Sequence, residues 1–239
     1  MLRLDLTLES VMNVALDDAL IETAENSESH AEVLRLWEQE QPIVVIGRSS
    51  PLGSEVNHEY CDANSIPIVR RVSGGQSVVV GKGCLVFALL LDMRLRPELN
   101  MLDQAHQSVM LRMQDALAAV GVETEMQGTC DLTFEGRKFS GNAVRKRRNW
   151  MLYHGTVLCD FDLSLIANCL GTPARQPDYR GQRTHDQFVT CVPVSTQAVA
   201  EAIAKQWQAT DAFVDPPLDL ARQLVSEKYS TQEWLEKVK

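Results

Sequence analysis

The sequence predicts one domain of mixed α/β (α+β) class, with mixed β-sheets flanked by helices. Short runs of β-branched apolar residues alternate with segments of helical period. No internal repeat, low-complexity tract or linker divides the 239 residues. A hydrophobic content of 45% beside 23% charged residues is ordinary for a globular chain that buries a core.

The elements follow in order. "ESVMNVALDDALIETAENSE" carries Val11, Val14, Ala15, Leu16, Leu20, Ile21 and Ala24 at helical spacing above an acidic face. Val33 to Trp37 and Ile43 to Ile46 read as strands, and a turn-rich, polar stretch follows. "IPIVRRVSGGQSVVVGKGCLVFALLLD" gives strand, Gly-rich loop, strand. Leu102 to Val120 forms a helix that Gly121 stops. The midpoint supplies strand "DLTF", a tight turn at Glu135-Gly136, strand "RKFSGNAVR", a basic turn, and strand "WMLYHGTVLCDF". "LSLIANCL" is a short helix, and "GTPARQPDYRGQRTHDQF" is a polar loop edged by Pro173 and Pro177. Helices around "TQAVAEAIAKQW" and "LDLARQLVSEKYSTQEWLEKV" close the chain.

The formal charge of -9 excludes a protein that coats nucleic acid through net charge, so any anion site is local. Few aromatics are available to stack on bases. The six cysteines show no C-x-x-C spacing, and neither a leader-like start nor an apolar run of membrane length is present. The expectation is a soluble, cytoplasmic protein with free thiols, no membrane partner and no nucleic-acid partner.

Against this acidic background, Arg137, Lys138, Arg145, Lys146, Arg147 and Arg148 fall in twelve residues without an Asp or Glu. Three stretches can carry chemistry. In "RRVSGGQ", Gly74 and Gly75 let a ligand approach the main chain, so consecutive N–H groups can form an anion cradle. A hairpin bulge with surface-paired arginines fits equally well, and at most one of Arg70 and Arg71 faces the loop opening. In "GRKFSGNAVR", Lys138 precedes the small-residue turn Ser140-Gly141-Asn142-Ala143; taken alone, a solvated hairpin lysine is the commoner case. His154 lies in an apolar strand before Gly155, where a histidine fixed by its neighbours is more usual than a base.

Together, "NVALDDAL", "VVIGRSS", "RRVSGGQSVVV", "DLTFEGRKFSGNAVR" and "MLYHGTVLCDFDLSLI" resemble, in order and spacing, the lipoate-protein ligase and octanoyltransferase family. The similarity runs from about Met12 to Leu170. It implies the biotin/lipoate protein ligase catalytic fold. By the resemblance, Arg71, Ser73, Gly74, Gly75 and Gln76 belong to an acyl and phosphate region. Lys138, Ser140, Gly141 and Ala143 would clamp the activated carbonyl and phosphate, with His154, Gly155 and Thr156 on the strand beneath. It implies lipoate or octanoate and ATP with Mg²⁺ as substrates, and no resident metal. The implied acceptor is an acidic lipoyl domain, such as that of a 2-oxoacid dehydrogenase subunit or a glycine cleavage H protein.

Val78, Val80, Phe87 and Phe139 are the candidate walls of an acyl slot. The chain departs from many ligases at Gln76, where they carry a third glycine, and at Val80, where they carry histidine. About seventy, mostly helical, residues follow Leu170, too few for the accessory domain of two-domain ligases, so residues 1–239 are expected to form one catalytic domain with a helical tail from about 195. Octanoyltransferases of this fold use a cysteine thioester and no ATP, which makes Cys130 the candidate nucleophile of an alternative reading. A non-catalytic relative that binds the acyl chain or the lipoyl domain is the other.

Overall fold

The longest apolar runs of the chain pair with one another at the centre of the molecule. In the computed structural model, which describes residues 1–172 and 176–238, the first half of the chain holds β1 (Leu2–Asp5), α1 (Ser10–Glu25), β2 (Val33–Glu38) and β3 (Ile43–Ile46). The short helices α2 (Leu52–Glu55) and α3 (His58–Ala63) precede β4 (Ile68–Arg70), β5 (Val78–Val80), β6 (Cys84–Asp92) and α4 (Leu102–Ala118). The second half holds β7 (Glu125–Gln127), β8 (Asp131–Phe134), β9 (Arg137–Ser140), β10 (Asn142–Lys146), β11 (Trp150–Leu158), α5 (Ser164–Cys169), α6 (His185–Phe188), α7 (Thr196–Gln206), β12 (Asp211–Ala212), α8 (Leu218–Leu224) and α9 (Gln232–Leu235).

A six-stranded sheet of order β10-β11-β6-β2-β1-β12 forms the spine. β6 and β11 run antiparallel from Trp150 opposite Asp92 to Leu158 opposite Cys84, and both are almost wholly buried because helices cover each face. Leu16, Leu20 and Ile21 of α1 pack with Leu90, Leu152 and Ala221 on one face. Val109, Met110 and Met113 of α4, with Val199 and Ile203 of α7, pack with Leu89 and Tyr153 on the other. Two three-stranded sheets, β4-β3-β5 and β7-β8-β9, close over one end.

Three sequence expectations change. "RKFSGNAVR" is two strands, because the chain leaves the β7-β8-β9 sheet at Gly141 and enters the six-stranded sheet as β10. The polar stretch after β3 winds into α2 and α3, with the Asn57 side chain capping α3 at Tyr60 N. The loop after α5 contains a 3₁₀ turn at Asp178–Arg180 and helix α6, whose Thr184 and Gln187 form a capping box. Pro173 lies outside the described residues.

Candidate active site

β4 leads into the "SGG" loop, and the two arginines at its end part company. Arg70 turns away from the loop: its guanidinium donates to Gly47 O and Ser50 O at 2.7 and 2.8 Å and to Leu235 O at 2.7 Å. It ties the β3–α2 connection to the C-terminal segment. Arg71 turns under the loop, donating from Nη2 to Gly74 O at 2.6 Å and Gln76 O at 2.9 Å, and from Nε to Ser73 Oγ at 3.0 Å. Burial pulls this guanidinium down to about 10, and it keeps its charge at neutral pH.

The third loop carbonyl, Gly75 O, accepts from Ser50 Oγ at 3.1 Å. Gly47 allows that approach, since a Cβ there would overlap Gly75 O. Gly75 itself has φ +84°, open to glycine. With carbonyls 74, 75 and 76 all held inward, the amides of Gly74 and Gly75 have no partner among the described residues, and both glycines are exposed. The result is a loop with its carbonyls held and two exposed N–H groups left over, a geometry able to receive an anion.

Lys138 lies on β9, which leads through Gly141 into β10. Its Nζ lies 2.8 Å from Asp131 Oδ1, and Asp131 Oδ2 accepts from the Tyr179 hydroxyl at 2.8 Å. Gly141 makes room for the lysine, because a Cβ there would press on Cε and Nζ. Gly155 makes room for the turn in the same way, against the Asn142 side chain and Gly141 O, while Thr156 N donates to Gly141 O at 3.1 Å. Ala143 faces Gly75, so the two loops nearly touch.

Between them opens a slot with two characters. Val78, Val79, Phe139, Leu158, Ile166 and Phe188 supply apolar lining, and Glu55, Gln76, Lys138, Ser140, Thr156 and Arg180 supply polar lining. Of the expected walls, Val78 and Phe139 line it; Val80 and Phe87 belong to the core. The Pro177 to Phe188 segment forms one side: Arg180 and Arg183 stack on Phe188 at 4.9 and 5.2 Å, and His185 reaches the slot.

His154 is fixed from both sides. Nε2 lies 2.6 Å from Ser73 Oγ and Nδ1 lies 3.0 Å from Asp17 Oδ2, while Asp17 Oδ1 accepts from Arg35 Nη1 at 2.7 Å. Burial would raise the Asp17 carboxyl, but Arg35 and His154 outweigh it and hold it below the usual carboxylate range. Asp17 and Arg35 were not singled out from sequence, although a carboxylate on the inner face of a helix is the signal that could have found them. Cys130 is buried, its Sγ 3.4 Å from Asn142 O; burial first, then Asp131, pushes its thiol up to about 11 despite Lys138.

The basic turn resolves into different surroundings. Lys146 Nζ donates to Leu99 O and Asn100 O, whereas Arg147 and Arg148 are exposed. Arg145 sits half buried on β10 with Nε unpartnered among the described residues, and burial, Arg48 and Arg147 pull its pKa down. The C-terminal segment adds cations here: Lys237 is pulled down by burial and by Arg48, Lys228, Arg70 and Arg145.

Residues 9–208 match the family model described as the lipoyl protein ligase A/B catalytic domain. The chain belongs to this family. A lipoate-protein ligase 1 of Staphylococcus aureus is 30% identical over 68% of the chain, which spans about half (47%) of that relative. An octanoyltransferase LipM of Brevibacillus brevis is 23% identical over 95% of both chains. In structure, a bi-partite lipoate protein ligase of Thermoplasma acidophilum, solved in a study of an archaeal lipoylation system with its E2 lipoyl domain, superposes with a TM-score of 0.82 at 22% identity, covering 100% of this chain and 96% of that one. The expected catalytic-domain fold is thereby established. Within this lipoyl protein ligase A/B domain, Gln76, Lys138, Ser140, Gly141 and Thr156 line the slot, Arg71, Ser73 and His154 are buried and bonded to one another, and Gly74 and Gly75 are exposed on the adjoining loop.

Proposed function

We propose that the protein attaches lipoate or octanoate to a lysine of a lipoyl domain by way of an acyl-adenylate. The observation that carries this is a slot lined both by apolar side chains and by Lys138, Ser140, Gly141 and Thr156, continuous through Gln76 and Ser77 with the loop whose Gly74 and Gly75 amides have no partner among the described residues. An eight-carbon carboxylate fits that division, chain among Val78, Phe139, Ile166 and Phe188, and carboxylate beneath Lys138.

A free carboxylate is a poor electrophile, so its oxygen must first attack the α-phosphate of ATP, with pyrophosphate leaving. The acceptor lysine amine then attacks the acyl carbon, an amide forms, and AMP departs. Both steps concentrate negative charge where fixed donors point, and one well-placed donor contributes about 3 to 4 kcal/mol in such sites. Half-buried Arg145, with its unpaired Nε, is suited to the nucleotide phosphates. Mg²⁺ enters as part of the nucleotide substrate and would share that charge. Arg48, Arg147 and Lys237 form a basic rim around Arg145, which suits an acidic acceptor domain and would steer its approach.

The full-length likeness to an octanoyltransferase favours a second reading, transfer from an acyl thioester through a cysteine. The buried thiol of Cys130, pushed up to about 11, is poorly suited to that role, because the thiolate is the nucleophile. Supplying octanoate with ATP, or octanoyl carrier protein without ATP, to the enzyme and an unmodified lipoyl domain separates the two. The adenylate route predicts acylation in the first mixture alone; acylation in the second alone overturns it.

A further inference from the structure

Four groups beneath the site form a hydrogen-bond chain in which each proton has one satisfactory place. Arg71 Nε donates to Ser73 Oγ at 3.0 Å, and a guanidinium offers no acceptor. Ser73 Oγ lies 2.6 Å from His154 Nε2, and His154 Nδ1 lies 3.0 Å from Asp17 Oδ2. Asp17 is held ionised by Arg35, whose Nη1 is 2.7 Å from Oδ1 and also donates to Asn13 O, while Nη2 donates to Leu6 O and to the Asn13 side chain. All five side chains are buried: Ser73 and Arg35 fully, and Asp17, Arg71 and His154 nearly so.

Two proton arrangements are conceivable across the Ser73–His154 contact. If Nε2 carried a proton, Ser73 Oγ would accept from both Nε2 and Arg71, and its own hydroxyl proton would have no acceptor among the described residues. Leaving a buried donor unmade costs about 1 to 3 kcal/mol. If Nε2 is bare, Ser73 donates to it, Nδ1–H donates to the Asp17 carboxylate, and every group is satisfied. The chain then runs one way, from Arg71 through Ser73 and His154 to Asp17.

We infer that Asp17 is a positioning residue for the Gly-rich loop: it fixes the proton of His154 on Nδ1, so that Nε2 accepts from Ser73 and holds the loop with its Gly74 and Gly75 amides outward. Ser73 is the first residue of that loop, and Arg71, which completes its bonding, also grips Gly74 O and Gln76 O. Asp17 itself lies on α1 and is not among the residues that line the slot. The inference deepens the proposed function and rests on it only for the kinetic consequence.

The test begins with the intact enzyme. Two-dimensional ¹H–¹⁵N spectra of the histidine-labelled protein, without substrate, should show His154 as a neutral ring protonated on Nδ1; a ring protonated on Nε2 overturns the inference. In Asp17→Asn the amide can present a donor to Nδ1, so the His154 signal should move to the Nε2–H pattern. Acyl-transfer kcat/KM should then fall on the order of 10- to 100-fold, the scale seen when partners that orient a ligating histidine are removed. Asp17→Asn with an unchanged tautomer and full activity overturns it. If that variant fails to fold because Arg35 is left unpaired, Asp17→Asn with Arg35→Met removes both charges and is held to the same two outcomes. Because the tautomer is read without substrate, a protein that shows it yet acylates nothing contradicts the proposed function and leaves the role of Asp17 standing.

Discussion

Lys138 and Cys130 lie on neighbouring stretches of one small sheet, yet their surroundings assign them opposite fates. Lys138 keeps a partly exposed ammonium among the polar lining of the slot, held by Asp131 rather than buried. Replacing it with alanine removes a fixed donor, and kcat for acyl transfer should fall about 10²- to 10³-fold with the fold intact by circular dichroism. Gly141→Ala should lower activity as well, since the added methyl presses on the lysine it was making room for. Cys130 is enclosed, and its thiol is raised from about 9 to about 11. An acid whose folded pKa is raised stays neutral up to that pH, so at pH 8 about one thiol in a thousand is ionised. Cys130→Ala should therefore leave acyl transfer within about threefold of the parent, and its alkylation by iodoacetamide should quicken tenfold per pH unit up to about pH 11. Alkylation that plateaus near pH 7 would mean an activated thiol.

At the scale of elements, the strands and long helices were legible because their periods are strong. Val78 to Val80, Cys84 to Leu91 and, His154 and Gly155 apart, Trp150 to Leu158 are β-branched or apolar, and Leu102 to Ala118 repeats at helical spacing up to a glycine at φ +82°. The break at Gly141 was not legible. "RKFSGNAVR" carries the pattern of one strand, and only the pairing of its halves with different sheets divides it. Of the site, the loops and Lys138 were legible as motifs, whereas Asp17 and Arg35 meet His154 from elements far apart in sequence.

The C-terminal segment was read simply as helix, and its docking was hidden for the same reason. Trp234 Nε1 donates to Arg70 O at 2.8 Å, Arg70 returns bonds to Leu235 O, and Lys228 reaches Asp18 at 2.7 Å. Trp234 is half buried, so Trp234→Ala should cost about 2 kcal/mol, below the range for fully buried aromatics, and lower the melting temperature in calorimetry. The basic rim is a separate element. Lys237→Glu with Arg147→Glu should raise KM for the acceptor domain several-fold at low salt and lose that effect at 0.5 M salt, with acyl activation in the absence of acceptor unchanged. An equal effect at both ionic strengths would place the interaction elsewhere.

For the molecule as a whole, a six-stranded sheet sandwiched by helices supplies rigidity, and two small sheets and the α5–α7 connection supply the slot. An overall charge of -9 coexists with a local cluster of cations around Arg145. On the proposed route the slot forms an acyl-adenylate before any acceptor arrives. Octanoate- or lipoate-dependent exchange of labelled pyrophosphate into ATP, with no lipoyl domain present, tests it most directly. The account predicts exchange that requires the acid and is lost in Lys138→Ala; a folded protein that shows no exchange, while still acylating a lipoyl domain from an acyl thioester, would contradict it.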